Sequence, residues 1–143
     1  MKGIATLIRL HRLKLTDQQR KLAALQAVAN GFRTEIGTLE RRTREEAASS
    51  AANPETAHML GGFVQATLAR RRVLEGSLAD IDRDTERVRA DINAAFRELK
   101  KYELIEERRA AEARKAQQRR DRRAEDEIGM SMHRQARKAA AGG

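Results

Sequence analysis

Four acidic side chains alternate along one short stretch, and they are the first candidates for a metal site. These residues are Asp80, Asp82, Asp84 and Glu86, and calcium loops take oxygen ligands from alternating positions. A helix turns by about 100° per residue, so alternate residues on a helix do not point in one direction. The stretch also lacks the glycine that bends a calcium-binding loop. We therefore interpret it as a solvated helix face on which the acids lie beside Arg83 and Arg87.

The histidines and paired glycines form no catalytic constellation either. Three histidines lack the spacing of metal ligands: His11, His58 and His133. Gly61 and Gly62 precede Phe63 and are not followed by the lysine of a phosphate-binding loop. The sequence therefore predicts no catalytic residue, no metal ligand and no cofactor. We expect a protein that is not an enzyme and has no small-molecule substrate.

Arginines near the C-terminal end are the third candidate for chemistry. The stretch "RRDRR" supplies Arg119, Arg120, Arg122 and Arg123, and the net charge of the chain is +9. The acidic "AEDE" follows directly and would repel phosphate, and only 3% of residues are aromatic, which leaves few platforms for base stacking. This pattern argues against nucleic acid. We keep as the alternative function a generic basic coiled-coil scaffold or a nucleic-acid-associated protein. Charge alone supports an acidic protein surface or an anionic membrane equally well.

The composition indicates long helices rather than a globular core. Of 143 residues 36% are charged, one is proline and none is cysteine or tryptophan. Chains rich in Ala, Leu, Arg and Glu are typical of coiled coils. Without cysteine there are no disulfides or thiolate metal sites, which suits a cytosolic protein. No stretch is long and apolar enough to span a membrane, and Arg9 comes too early for a signal-peptide core.

A seven-residue repeat predicts the first helix, over residues 4–46. Its two seam columns are Ile8, Leu15, Leu22, Ala29, Ile36 and Ile4, His11, Gln18, Leu25, Phe32, Leu39. We interpret His11 and Gln18 as residues that fix the register or lie where the seam is wet. Gly31 and Gly37 each weaken a helix by about 1 kcal/mol relative to alanine. They are either flexible points or sites of close packing.

A polar break over residues 47–57 leads to a second helix, predicted over residues 58–128. Asn53 is a candidate cap for this helix, with Pro54 in its first turn. The second seam consists of Val64, Arg71, Leu78, Thr85, Ile92, Leu99 and Leu60, Thr67, Leu74, Ile81, Val88, Ala95, Tyr102. Residues 129–143 are predicted as a flexible tail of a single coiled-coil domain that covers residues 1–143.

If the chain folds back about Asn53, both apolar seams end together. Residue i then faces approximately residue 106 minus i, which pairs Ile8 with the Leu99 region and Leu39 with the Leu68 region. Beyond Ile105 the seam stops, and residues 106–127, the distal charged segment, have no partner helix. The predicted fold class is therefore all-α, a two-helix antiparallel coiled-coil hairpin whose longer second helix overhangs as a single charged helix.

The charge balance of the two arms favours this pairing. Residues 1–44 contain ten basic and three acidic residues, a net charge of +7. Residues 45–105 contain nine basic and eleven acidic residues, a net charge of −2. Opposite charges at the positions that flank a heptad seam select the partner helix, so we expect basic residues of the first arm to face acids of the second.

The long second helix also carries a resemblance to a known family. Its signature residues are Leu99, Tyr102, Leu104, Glu106, Arg108 and Arg109, followed by Asp126, Glu127 and Ile128. With the basic first helix and the polar break, they make residues 4–130 similar to the FliJ family of bacterial flagellar type III export proteins. Gly129 departs from this pattern, because the family more often has alanine there.

The resemblance implies a stalk in flagellum assembly, and through it a role in chemotaxis. Proteins of this kind insert into the hexameric export ATPase ring, contact the cytoplasmic part of the export gate and handle export chaperones. The implied location is the cytoplasm, peripherally at the inner membrane of the flagellar base. Leu60 and Phe63 are the residues implied for the gate, with simple seam burial as the alternative for Phe63. The basic quartet Arg119, Arg120, Arg122 and Arg123 is the candidate for the ring.

Overall fold

The chain forms two long α-helices joined by a short turn. The computed structural model describes residues 2–142. Helix α1 covers Lys2–Ala52, a short 3-10 helix covers Ala57–Met59, and helix α2 covers Leu60–Ala141. The described residues contain no strand, and the predicted all-α fold class is confirmed.

Both helices extend past the bounds that the heptads indicated. α1 continues to Ala52 rather than residue 46, and α2 continues through Gly129 to Ala141, across most of the segment expected to be a tail. Alanine has the highest helix propensity, so the alanine-rich ends of both helices remain helical after the seam has ended. Met1 and Gly143 lie outside the described residues.

Asn53 organises the turn between the helices. Its backbone N–H donates to the carbonyl of Ser49 at 3.0 Å, which closes the last turn of α1. Its side-chain oxygen accepts the N–H of Glu55 at 3.3 Å, and its carbonyl accepts the N–H of Thr56 at 3.2 Å. Asn53 thus caps the turn that contains Pro54 and not the second helix, so that prediction was wrong, because α2 begins only at Leu60, after the 3-10 helix.

The described residues form two compact units. Unit 1 contains residues 2–9 and 98–142, and unit 2 contains residues 10–97. Unit 2 is an antiparallel hairpin in which every predicted seam position is buried or half-buried. The best-covered apolar residues are Leu74, 1% exposed, and Ala29, 4% exposed. The two predicted heptad columns of each arm are therefore the packed faces of unit 2.

Arg71 occupies a seam position in unit 2 and is neutralised there from both helices. Its guanidinium lies 3.0 Å from Glu40 on α1 and 2.9 Å from Glu75 on α2. A charge in a seam is tolerated when it is paired and hydrogen-bonded. Arg71 can therefore interrupt the apolar column without breaking the hairpin.

Ion pairs between the helices only partly follow the expected charge pattern. Among the described residues, Arg33 on α1 lies 3.9 Å from Asp82 on α2, in the expected direction. Glu35 and Glu40 on α1 instead accept from Arg70 and Arg71 on α2, at 2.9 and 3.0 Å. The net charge of each arm therefore did not predict which individual residues pair.

The centre of the turn lies later than expected, but the predicted register holds near the turn. Ala52 and Leu60 are centred on Thr56 rather than Asn53. Leu39 and Leu68 line one groove, which agrees with the predicted pairing of Leu39 with the Leu68 region. Farther from the turn, Ala29 shares a groove with Thr85, whereas the prediction placed Ala29 near Leu78. The displacement there is about one heptad, which keeps seam positions opposite seam positions.

Unit 1 contains its own small apolar contact region. Ile4, Ile8 and Leu99 are 8%, 9% and 5% exposed. Tyr102 and Ile105 are half-buried, and Ala111 and Ala116 are the last residues of α2 with partial cover. Residues 117–142 are exposed throughout. The coverage of unit 1 therefore ends inside the distal charged segment.

The register can be tested by disulfide cross-linking, because the natural chain has no cysteine. We expect the double variant Ala29→Cys, Thr85→Cys to cross-link readily under mild oxidation. The pair Ala29→Cys, Leu78→Cys is the matched control for a slip of one heptad, which displaces the partner by about 10 Å. Faster cross-linking of the control pair, followed by gel mobility, would contradict the register described here.

Because the seam is thin, Leu74 is the position in unit 2 at which truncation should lower stability most. Truncating a buried leucine removes its transfer free energy and leaves a cavity, so we expect Leu74→Ala to lower the free energy of unfolding by about 2–5 kcal/mol. Leu68→Ala is the control, because Leu68 is 46% exposed. Urea denaturation followed by circular dichroism measures both variants. Equal losses would show that Leu74 does not anchor the seam.

Candidate partner-binding surfaces

The structure places Leu60 and Phe63 in the first turn of α2, directly after the 3-10 helix. Both side chains are half-buried. Phe63 immediately precedes the seam residue Val64, so its ring lies at the flank of the seam and part of it reaches solvent. Met59, 64% exposed, lies one residue before Leu60. The turn end of unit 2 thus presents an apolar surface that includes both residues predicted for the gate.

A groove between the helices lies close to this surface, and sequence reasoning missed it. It has a volume of about 250 Å³ and is lined by Leu39, Glu40, Thr43, Arg44, Val64, Thr67, Leu68 and Arg71. That volume is smaller than a typical small-molecule site, so it suits one or two side chains of a protein partner. Leu60 and Phe63 do not line it. The available signal was the apolar Leu68 directly beside the polar seam residue Thr67.

The basic quartet lies on the exposed part of α2. Arg119, Arg122 and Arg123 fall within about 100° of the helix circumference. None of the four arginines is ion-paired among the described residues, although Gln117 donates to Asp121 at 3.0 Å between them. Asp126 lies within the same arc as the three arginines. The quartet is therefore an accessible surface of mixed charge rather than a continuous cationic stripe.

Within the described chain, arginines of the distal charged segment lack ion pairs along the helix. Among the residues it describes, Arg108, Arg122 and Arg123 make no salt bridge with the acids that follow them by one helical turn. Basic-before-acidic order is the less favourable arrangement along a helix. These arginines therefore remain available to another molecule.

The alternating acids are engaged with arginines instead of forming a cluster. Asp80 pairs with Arg83, Asp82 lies 3.9 Å from Arg33, and Glu86 lies 3.1 Å from Arg89. Within residues 2–142 no three His, Cys, Asp or Glu side chains are placed to hold a metal ion. The described part of the chain also has no helix with the length and hydropathy needed to cross a membrane.

Comparison with known proteins assigns the chain to a family. A family model described as "Flagellar FliJ protein" matches residues 1–138. Neither the curated proteins nor the solved structures provide a match. Because the family match covers nearly the whole chain, from α1 to the exposed end of α2, the protein belongs to the FliJ family and is a component of flagellar type III protein export.

Proposed function

We propose that this protein couples the hexameric export ATPase ring to the cytoplasmic part of the export gate, and that it escorts export chaperones. In this proposal it acts in the cytoplasm, peripherally at the inner membrane of the flagellar base. The observation that carries the proposal is the exposed end of α2, where residues 117–141 are helical and no residue is covered. A helix that buries nothing within its own chain is suited to burial in a partner.

The proposal assigns the two ends of the second helix different partners. The basic quartet contacts the ATPase ring, because four exposed arginines beside Asp121 and Asp126 offer both charges to a protein surface. Leu60 and Phe63 contact the gate, because they lie in an apolar surface at the turn end of unit 2. Aromatic residues and methionine are enriched at the cores of protein interfaces, and Met59 beside Leu60 is 64% exposed.

Removal of the exposed end of α2 tests the role of the ring contact. Half-buried Ala111 and Ala116 make a cut after Ile105 too early, so the chain should end at Ala116. We expect this truncation to change the melting temperature by less than about 3 °C, since exposed residues contribute little to stability. It should abolish stimulation of the ATPase in a steady-state phosphate-release assay. Full stimulation by the truncated, folded chain would place the ring contact elsewhere.

Charge reversal of the basic quartet tests whether its arginines make a specific contact or whether any exposed helix stimulates the ATPase. We expect replacement of Arg119, Arg120, Arg122 and Arg123 by glutamate to lower stimulation at least tenfold without changing helicity. The matched control replaces the same residues by lysine, which retains the charge but loses the planar guanidinium. Strong, salt-sensitive DNA binding by the natural chain, together with no capture of the ring, would instead favour a nucleic-acid-associated coiled coil.

The gate contact is tested by comparing affinity with stability at Phe63. We expect Phe63→Ala to weaken binding of the cytoplasmic part of the gate at least tenfold. Its loss of unfolding free energy should stay below the about 3–5 kcal/mol typical of a core phenylalanine, because Phe63 is only half-buried. Leu78→Ala, a seam variant away from the turn, should lower stability and leave affinity unchanged. A large stability loss with unaltered gate affinity would return Phe63 to the seam.

A further inference from the structure

The turn-proximal section of unit 2, residues 37–76, lacks a firm core over most of its length. Between Gly37 and Val73 the one buried residue is Ser50, which is polar. The apolar residues of that stretch are half-buried or exposed, as with Leu68 and Val73, which are 46% and 58% exposed. The well-buried Leu74 and Ala29 lie at or beyond its edges. Hydrophobic stabilisation therefore falls towards the turn.

The polar contacts of this section do not replace the missing core. The seam holds Thr43, Thr67 and Arg71, and a gap of about 250 Å³ lies between the helices beside them. Two interhelical ion pairs, Arg70–Glu35 and Arg71–Glu40, cross the section, and their side chains are 40–51% exposed. Ion pairs at that exposure are weak and are screened by salt. The helices are therefore held together least firmly here.

The glycines of the section add to this weakness without any packing role. Gly37 lies on α1, and Gly61, Gly62 and Gly76 lie on α2, all with negative φ. An added Cβ would meet nothing within 4 Å at any of them, and the same holds at Gly31. Close packing, one of the two interpretations of the glycines in α1, is therefore excluded. The remaining effect of each glycine is the large conformational entropy that it loses when the helix forms, which destabilises the helix.

We propose that the turn-proximal section opens as a local unit while the rest of unit 2 stays folded, and that its glycines set the population of the open form. Proteins open in contiguous cooperative units whose free energies depend on how much apolar surface each buries. Between Gly37 and Gly76 the helices share a thin apolar seam and exposed ion pairs. The same section contains glycines that no packing contact requires. Leu60 and Phe63 lie inside this unit, so opening uncovers the halves of their side chains that the closed hairpin buries.

Native-state hydrogen exchange of the full chain, read by mass spectrometry, tests the proposal. After correction for intrinsic rates, amides of residues 60–73 should exchange at least tenfold faster than those of residues 81–95. Gly37→Ala and Gly76→Ala should each slow exchange in 60–73 about fivefold, the factor that corresponds to about 1 kcal/mol of helix propensity. Neither variant should change exchange in 81–95 by a comparable factor.

Two further variants keep the test specific. Gly129→Ala is the matched control, because Gly129 also has open space around its Cβ position but lies outside the section. It should leave exchange in residues 60–73 unchanged. Glu40→Gln removes one partner of Arg71 and should speed exchange in 60–73 alone. Equal exchange in the two stretches, or glycine variants that slow both stretches equally, would show that unit 2 opens only as a whole and would overturn the proposal.

Discussion

A single apolar seam between two helices is the interaction on which the rest of the structure depends. Each helix buries one stripe against the other, and within residues 2–142 no further layer covers the outer faces. Few side chains are therefore enclosed on all sides, and only Leu74 is less than 2% exposed among the described residues. Because so little area is buried, a single threonine, arginine or glycine at one position along the helices has a large effect on stability.

The sequence predicts the seam well because the heptad reports burial directly. Columns read seven apart, from His11 to Leu39 and from Leu60 to Ala95, are the covered positions of unit 2. The register was predicted correctly only near the turn, where Leu39 and Leu68 line one groove, since a shift by one heptad leaves the apolar pattern unchanged. It depends on where the chain turns, and Asn53, although it caps the turn, lies at its beginning rather than its centre. The heptad pattern also did not predict the alanine-rich helix ends, because it records only the spacing of apolar residues.

At the candidate surfaces, too, the sequence pattern predicted burial, whereas the shape of the surface was found only in the structure. Phe63 was implied by the family resemblance, and its displacement by one residue from the seam column agrees with the partial burial that the structure shows. The groove lined by Leu39 and Leu68 escaped detection, since it arises where polar seam residues on two distant segments fail to fill the space between the helices. The heptads placed Leu39 opposite the Leu68 region, but an apolar pattern does not report how completely side chains fill the space between two helices.

The exposed end of α2 raises a different physical question, since an isolated charged helix is marginal in water. Starting a helix is costly because several residues must be fixed before the first hydrogen bond forms, whereas extension adds one bond for each residue fixed. In α2 the covered residues Leu99 and Tyr102 supply the start, and the distal charged segment needs only extension. Its alanines, arginines and glutamates all have high helix propensity. The packed part of unit 1 therefore supplies the nucleation of the exposed helix. Among the described residues, Arg119, Arg122 and Arg123 make no ion pair and stay open to a partner.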